Sequence, residues 1–328
     1  MPRTIAIPAA ASGLIDAQDG VVATCQLAEH GLDRGYVHRR LAAGHWRRMF
    51  PGVVLTRNGE PTRRQQLVAA HLWAGAESAI DAEDACVWYG LRPVSFRPDL
   101  VHVVVPASSG ARTRPGLIVR RSIGEIVVAE RGLVPYVGKA TAVISAGRNA
   151  HSTDSAIALF SNALQTGLVT VDQLIASRAA VGAKWCDRVD TALLAVGVGV
   201  RSPAERDALL LFQRSHVLPS PRLNVWLELG DGSPPVCVDA LWADAGLVNE
   251  VNGRRYHAFA DRFERTEARR ARLVAVGLVV MSCTPTQLRR SGSDVLERLE
   301  RAYLANQGRG LPPGVSIIDP PTPRAIAC

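Results

Sequence analysis

Two short apolar runs, Val236 to Leu241 and Leu247 to Val251, each carry one acidic residue, Asp239 and Glu250. Runs of this length between turn-forming residues read as strands. If they are neighbours in one sheet, the two carboxylates converge. Paired carboxylates at about one strand spacing can hold a hard divalent cation through oxygen ligands. Such a cation can activate water against a phosphodiester. The bland alternative is a structural, hydrogen-bonded carboxylate, because an unpaired buried charge is costly.

The chain has 328 residues, more than one ordinary core uses, which predicts two or three domains. Its net charge is +8, with a pI near 9.6, and the excess is arginine; the lysines are Lys139 and Lys184. Guanidinium groups bind phosphate in bidentate fashion, so a polyanionic partner is expected. No apolar run reaches the length of a membrane span. Met1 to Ile5 lacks a secretory apolar region, so the expected compartment is the cytoplasm, with no membrane partner. Cys25, Cys86, Cys186, Cys237, Cys283 and Cys328 are widely spaced. That excludes a zinc ribbon and a disulfide framework.

Residues 1–12 read as a flexible tail. Thr24 is a candidate N-cap for a helix to His30, and Gly31 a turn. A second helix spans Asp33 to Ala43, with Val37 and Leu41 on one face. Gly44 ends it, and a hairpin with a Pro51-Gly52 turn closes the segment. Helix, turn, helix and hairpin describe a winged helix-turn-helix over residues 13–58. Its second helix would present Arg34, His38 and Arg39 to a major groove, with Arg47 and Arg48 at the wing. A small helical subdomain with a solvated basic face is the alternative.

Residues 59–195 read as a mixed α/β block with helices over Arg63 to Ala74, Asp81 to Tyr89, Ser152 to Leu164 and Val171 to Ala179. Strands are expected at Val101 to Pro106 and Leu117 to Arg120. No catalytic constellation is legible there, and its polar residues are spaced like surface positions. Val196 to Ser202 reads as a linker. Residues 200–308 form a final domain: helix Ser202 to Gln213, three strands, an arginine-rich helix over Asp261 to Val276, a strand after Gly277 and a closing helix. Ser202-Pro203-Ala204-Glu205 is a helix-start pattern. Residues 309–328 read as a disordered Pro-rich tail. The fold class is α/β (α+β).

Ser202-Pro203-Ala204-Glu205, Asp239, Glu250-Val251-Asn252-Gly253 with Tyr256-His257, and the arginine helix before Gly277 occur in a family's order. The stretch from Ser202 to about Leu304 resembles the very-short-patch-repair-like branch of the PD-(D/E)XK nuclease superfamily. Gly20 to Leu55 is similar to the winged helix of AbiEi-type antitoxins. The block from Pro61 to Leu174 is similar to the segment after that winged helix in actinobacterial relatives. The first resemblance implies a restriction-endonuclease-like core, a mixed sheet flanked by helices. It implies Asp239 and Glu250 as Mg²⁺ ligands, with Mn²⁺ as a substitute, and Glu205 as an acidic helper. His257 would orient or deprotonate water. Arg265 and Arg269 would neutralise charge on the scissile strand.

The chain departs from that pattern. Asn252 stands where the superfamily has lysine and its lysine-free branch has aspartate. Thr266 stands where an acid is usual. Losing a carboxylate weakens a Mg²⁺ site, since this ion relies on carboxylates and substrate phosphates. Plainer roles stand beside these: Glu205 as a helix N-terminal acid, His257 as an ordinary histidine, and Arg265 and Arg269 as a solvated helix face. Three functions are compatible with the sequence. The first is a DNA-binding, antitoxin-like regulator with a degraded nuclease domain, needing no metal and partnered by double-stranded DNA and a nucleotidyltransferase-like toxin. The second is an active Mg²⁺-dependent endonuclease of nicking or repair type. The third is an interaction module for a toxin or repair partner.

Overall fold

The computed structural model describes residues 7–122, 124–180, 186–252 and 260–319, with the backbone alone at 129–131 and 260–266. The chain divides into two compact units, Met1–Leu193 and Leu194–Cys328. Both are built of mixed α and β elements around three sheets, the α/β class expected of the sequence.

The first unit begins with α1 (Ala9–Ala17), β1 (Val21–Ala23), α2 (Thr24–Glu29), α3 (Arg34–Ala42), β2 (Arg47–Phe50) and β3 (Val53–Leu55). The strands form an antiparallel sheet in the order β1-β3-β2. Gly52, at φ +78°, turns β2 into β3, a conformation open to glycine without a Cβ penalty. Asp33 caps α3, its carboxylate accepting from the Tyr36 amide at 2.7 Å. Ala11, Ile15, Val22, Leu27, Tyr36, Val37, Trp46 and Val54 share one core. The expected tail of residues 1–12 is therefore too long: α1 starts at Ala9, because burying Ala11 and Ile15 stabilises its first turns. Thr24 is the first helical residue, and the cap position falls on Ala23, whose amide donates to Gln26 Oε1 at 2.9 Å.

Helix α4 (Arg63–Ala74) packs on all three of these strands and also on the next sheet. That sheet comprises β4 (Ala79–Ile80), β5 (Val101–Pro106), β6 (Leu117–Ser122), β7 (Val128–Arg131) and β8 (Pro135–Val137), in the order β6-β5-β4-β8-β7. Helices α5 (Ala82–Trp88), α6 (Lys139–Asn149), α7 (Thr153–Gln165), α8 (Val171–Ala180) and α9 (Asp187–Gly197) complete the block. The expectation that its polar residues lie on the surface is corrected. Asp81, Glu83 and Asp84 are buried at the start of α5. Asp81 pairs with Arg120 at 2.7 Å, Glu83 lies 3.0 Å from His102 Nδ1, and Asp84 pairs with Arg63 at 2.6 Å. Burial raises the Asp84 carboxyl above its ordinary range, against the opposing pull of Arg63. A run of acids close in sequence reads as solvated because its partners come from distant elements.

The second unit is a mixed five-stranded sheet between two helical layers. Its elements are α10 (Pro203–Phe212), β9 (Arg222–Glu228), β10 (Val236–Trp242), β11 (Leu247–Val251), α11 (Ala260–Ala275), β12 (Val279–Cys283), α12 (Pro285–Arg290), α13 (Gly292–Asn306) and β13 (Ser316–Ile318). The strand order is β12-β11-β10-β9-β13, antiparallel except for the β11–β12 pair. One face packs on α10, α12 and α13 through Leu211, Phe212, Leu288, Leu299 and Tyr303. The other packs on α11 through Leu273.

Two expectations about this unit's ends are corrected. Val196 to Ser202 is no loose linker: α9 runs to Gly197 and Val200 is buried. The tail from residue 309 packs as far as it is described. Strand β13 lies along β9, Val315 is buried, and the Gly310 amide donates to Asp244 O at 2.9 Å. Prolines suggest disorder, but an unpaired edge strand and an apolar face are available to it.

Candidate functional site

The antiparallel register pairs Ala240 with Asn249 and Leu241 with Val248. One step further on, Asp239 lies opposite Glu250. The Val251 amide donates to Asp239 Oδ2 at 2.7 Å, tying the two strand ends together. The convergence expected from two acid-bearing runs is present.

Strand alternation breaks at Asp239. Val236 and Val238 belong to the core under α11, whereas Ala240 and Trp242 belong to the core under α10. In a regular strand, residues two apart share a face. The partner strand breaks at the matching place, with Val225 in one core and Leu223 against the other. Between them Asn224 has φ +51°, a left-handed backbone that asparagine tolerates better than most residues. The kink leaves Asp239 between the two layers.

Glu205 enters from the first turn of α10. Ser202 caps that helix, its hydroxyl accepting from the Glu205 amide at 3.2 Å and donating to Glu205 Oε1 at 3.0 Å. Glu205 Oε2 accepts from the Arg201 amide at 2.9 Å and from Asn224 Nδ2 at 2.7 Å. Glu205 thus completes a helix start and also faces the acidic pair. Its negative charge raises the carboxyls of both Asp239 and Glu250.

Arginine balances part of this charge. Arg269 on α11 pairs with Glu250 Oε2 and donates to Cys237 O at 3.1 Å. Arg201 donates to Cys237 Sγ at 3.3 Å. Burial still dominates, pushing Asp239 up to about 6 and Glu250 up to about 7. Glu250 Oε1 is buried without a hydrogen-bond partner. It borders a cavity of about 10 Å³ lined also by Asn252, Glu267, Arg269 and Ser282, room for roughly one water-sized occupant. Asn252 follows Glu250 by two residues and shares this cavity, while its amide donates to Cys283 O at 2.8 Å.

Asp239 and Glu250 could hold a hard cation, and the orphaned Glu250 Oε1 suits such a ligand. The fit is partial. Among the described residues no three His, Cys, Asp or Glu side chains are arranged to hold a metal. Asn252 adds a carbonyl but no charge, so remaining ligands would come from water or phosphate oxygens. His257 lies outside the described residues, as does the Arg265 side chain. Arg269, expected to face a scissile strand, is engaged inside the site with Glu250. A guanidinium beside a buried carboxylate pairs with it because the carboxylate's desolvation otherwise stays uncompensated.

In the first unit, Arg34, His38 and Arg39 are exposed on α3, and Arg48 is exposed on β2. Arg47 is partly engaged, with Glu60 Oε1 at 2.7 Å and Gly59 O at 3.2 Å. Asn224, Arg201 and the Arg269 pairing are not among the site features expected of the sequence. Only the left-handed preference of asparagine hints at Asn224.

No family model matches the chain, and no curated protein matches it. Among solved structures, the crystal structure of the RV2827C protein from Mycobacterium tuberculosis is similar at 17% identity and a TM-score of 0.38, over 65% of this chain and 85% of that one. Among the described residues, no helix is long and apolar enough to cross a membrane.

Proposed function

We propose that the chain is a DNA-binding regulator of the antitoxin-like kind, whose second unit keeps a nuclease-like scaffold. The observation that carries this reading is the exposed trio Arg34, His38 and Arg39 on α3. That helix packs on a three-stranded wing, and none of the three makes an ion pair among the described residues. An exposed basic helix beside a wing suits the major groove of double-stranded DNA, with Arg48 on a flanking phosphate. A nucleotidyltransferase-like toxin is the partner class that the N-terminal resemblance brings with it, and the expected setting is the cytoplasm.

The test is a salt series of affinity for duplex DNA, comparing wild type with Arg34→Ala and Arg39→Ala. Wild-type affinity should fall steeply with salt, and each lost phosphate contact should lower the log–log slope by about 1. A flat wild-type slope would reject the reading.

An active metal-dependent endonuclease is the second reading, favoured by the orphaned oxygen of Glu250 beside Asp239. A bound Mg²⁺ would supply Lewis-acid charge and an activated water. Nicking of plasmid DNA with Mg²⁺ or Mn²⁺ that vanishes in Asp239→Ala would establish it. Absence of nicking with both ions would leave the scaffold role.

A further inference from the structure

We propose that Asn224 is a positioning residue of the acidic site, fixing the Glu205 carboxylate beside Asp239 and Glu250. This rests on the reading of that pair as a cation site. Three observations converge on it. Asn224 takes a left-handed backbone at φ +51° in the middle of a strand. Its carboxamide donates to Gly199 O and to Glu205 Oε2, each at 2.7 Å. It lies opposite Asp239, at the step where β9 and β10 both change faces.

The chemistry rests on the donor count. Glu205 accepts three hydrogen bonds, from Ser202, the Arg201 amide and Asn224. A carboxylate whose lone pairs are so occupied has little use as a proton acceptor. It is therefore poorly suited to taking a proton from attacking water. It can raise the negative potential at the pair, and so its affinity for a divalent cation, without direct ligation. Ligand-orienting groups of this kind typically govern metal affinity by about tenfold or more. Asn224 would then set that affinity through the orientation of Glu205. Glycine at 224 keeps the left-handed backbone open while removing the carboxamide.

The experiment is Mn²⁺ titration of the full chain by calorimetry, for wild type, Asp239→Ala, Asn224→Gly, Glu205→Gln and the last two combined, with thermal unfolding in parallel. The expected result is Mn²⁺ binding by wild type that Asp239→Ala abolishes. Asn224→Gly should weaken it about tenfold with the unfolding temperature little changed. The combined variant should bind no more weakly than Glu205→Gln alone. Wild-type affinity in Asn224→Gly, or additive losses in the combined variant, overturn the inference and leave the cation reading standing. No Mn²⁺ binding by wild type overturns both.

Discussion

Arg269 donates to the Glu250 carboxylate, and its other terminal nitrogen donates to Cys237 O at 3.1 Å, so one guanidinium clamps the ends of β10 and β11 to α11. The Glu250 side chain is 8% exposed, whereas that of Arg269 is 35% exposed. Removing the arginine leaves a buried carboxylate without its counter-charge. Breaking a fully buried pair costs about 3–5 kcal/mol, and water reaching the arginine side lowers that here to about 1–3 kcal/mol. Arg269→Ala should therefore destabilise the chain in urea. Adding Glu250→Gln should recover most of the loss, because the neutral amide needs no guanidinium. If the double variant is no more stable than Arg269→Ala, the pair is not what holds this corner.

The same corner makes stability depend on pH. Burial raises Asp239 from 3.8 to about 6 and Glu250 from 4.5 to about 7. Between these limits the folded protein keeps protons that the unfolded chain has released. The contribution of the pair is thus fully present below about pH 4 and is lost as pH rises through 6 and 7. Other groups titrate across this range, so the comparison must be internal. The wild type minus Asp239→Asn/Glu250→Gln stability difference should shift against the wild type between pH 4.5 and 8, followed by chemical denaturation. A pH-independent difference would mean that the pair is ionised throughout.

The acidic pair is legible because strand length and a two-residue period are local properties, and both runs form the strands they resemble. The α3 helix and hairpin are legible for the same reason: Asp33, Gly44 and Pro51-Gly52 are cap and turn residues acting on near neighbours. What escapes is long-range pairing. Asp84 meets Arg63 across 21 residues, and Arg269 meets Glu250 across 19. No spacing rule links such partners. The tail reads wrongly because composition speaks to intrinsic order, whereas β13 is ordered by the edge that β9 presents to it.

The two wing arginines should behave differently on DNA. Arg48 is exposed, whereas Arg47 is held by Glu60 and Gly59 O. Arg48→Ala should weaken duplex binding and lower the salt slope by about 1. Arg47→Ala should do less, since that guanidinium must first leave its partner. Glu60→Ala releases it, and should tighten binding if Arg47 can reach a phosphate. Anisotropy titrations at several salt concentrations measure all three. Equal effects of the two arginine substitutions would show that the Glu60 contact does not hold Arg47 back.

Three glycines separate backbone strain from packing of the C-terminal segment. Gly230, Gly232 and Gly246 all have positive φ, at +68°, +72° and +56°. A Cβ at Gly230 would meet Gly314 O at 2.7 Å, and one at Gly246 would meet Gly310 O at 2.8 Å. At Gly232 nothing lies within 4 Å. Alanine at 232 should therefore cost only the left-handed backbone penalty, about 1 kcal/mol. At 230 and 246 it must also displace the backbone that leads into β13. Gly230→Ala and Gly246→Ala should lose roughly 1–2 kcal/mol more than Gly232→Ala in urea. Truncation after Asn306 should erase that difference, because the obstructing carbonyls are gone. The truncated chain should also aggregate more readily, with β9 left as an open edge. If all three alanine variants lose the same stability in the full chain, the segment from 309 to 319 is not packed as a strand of this sheet.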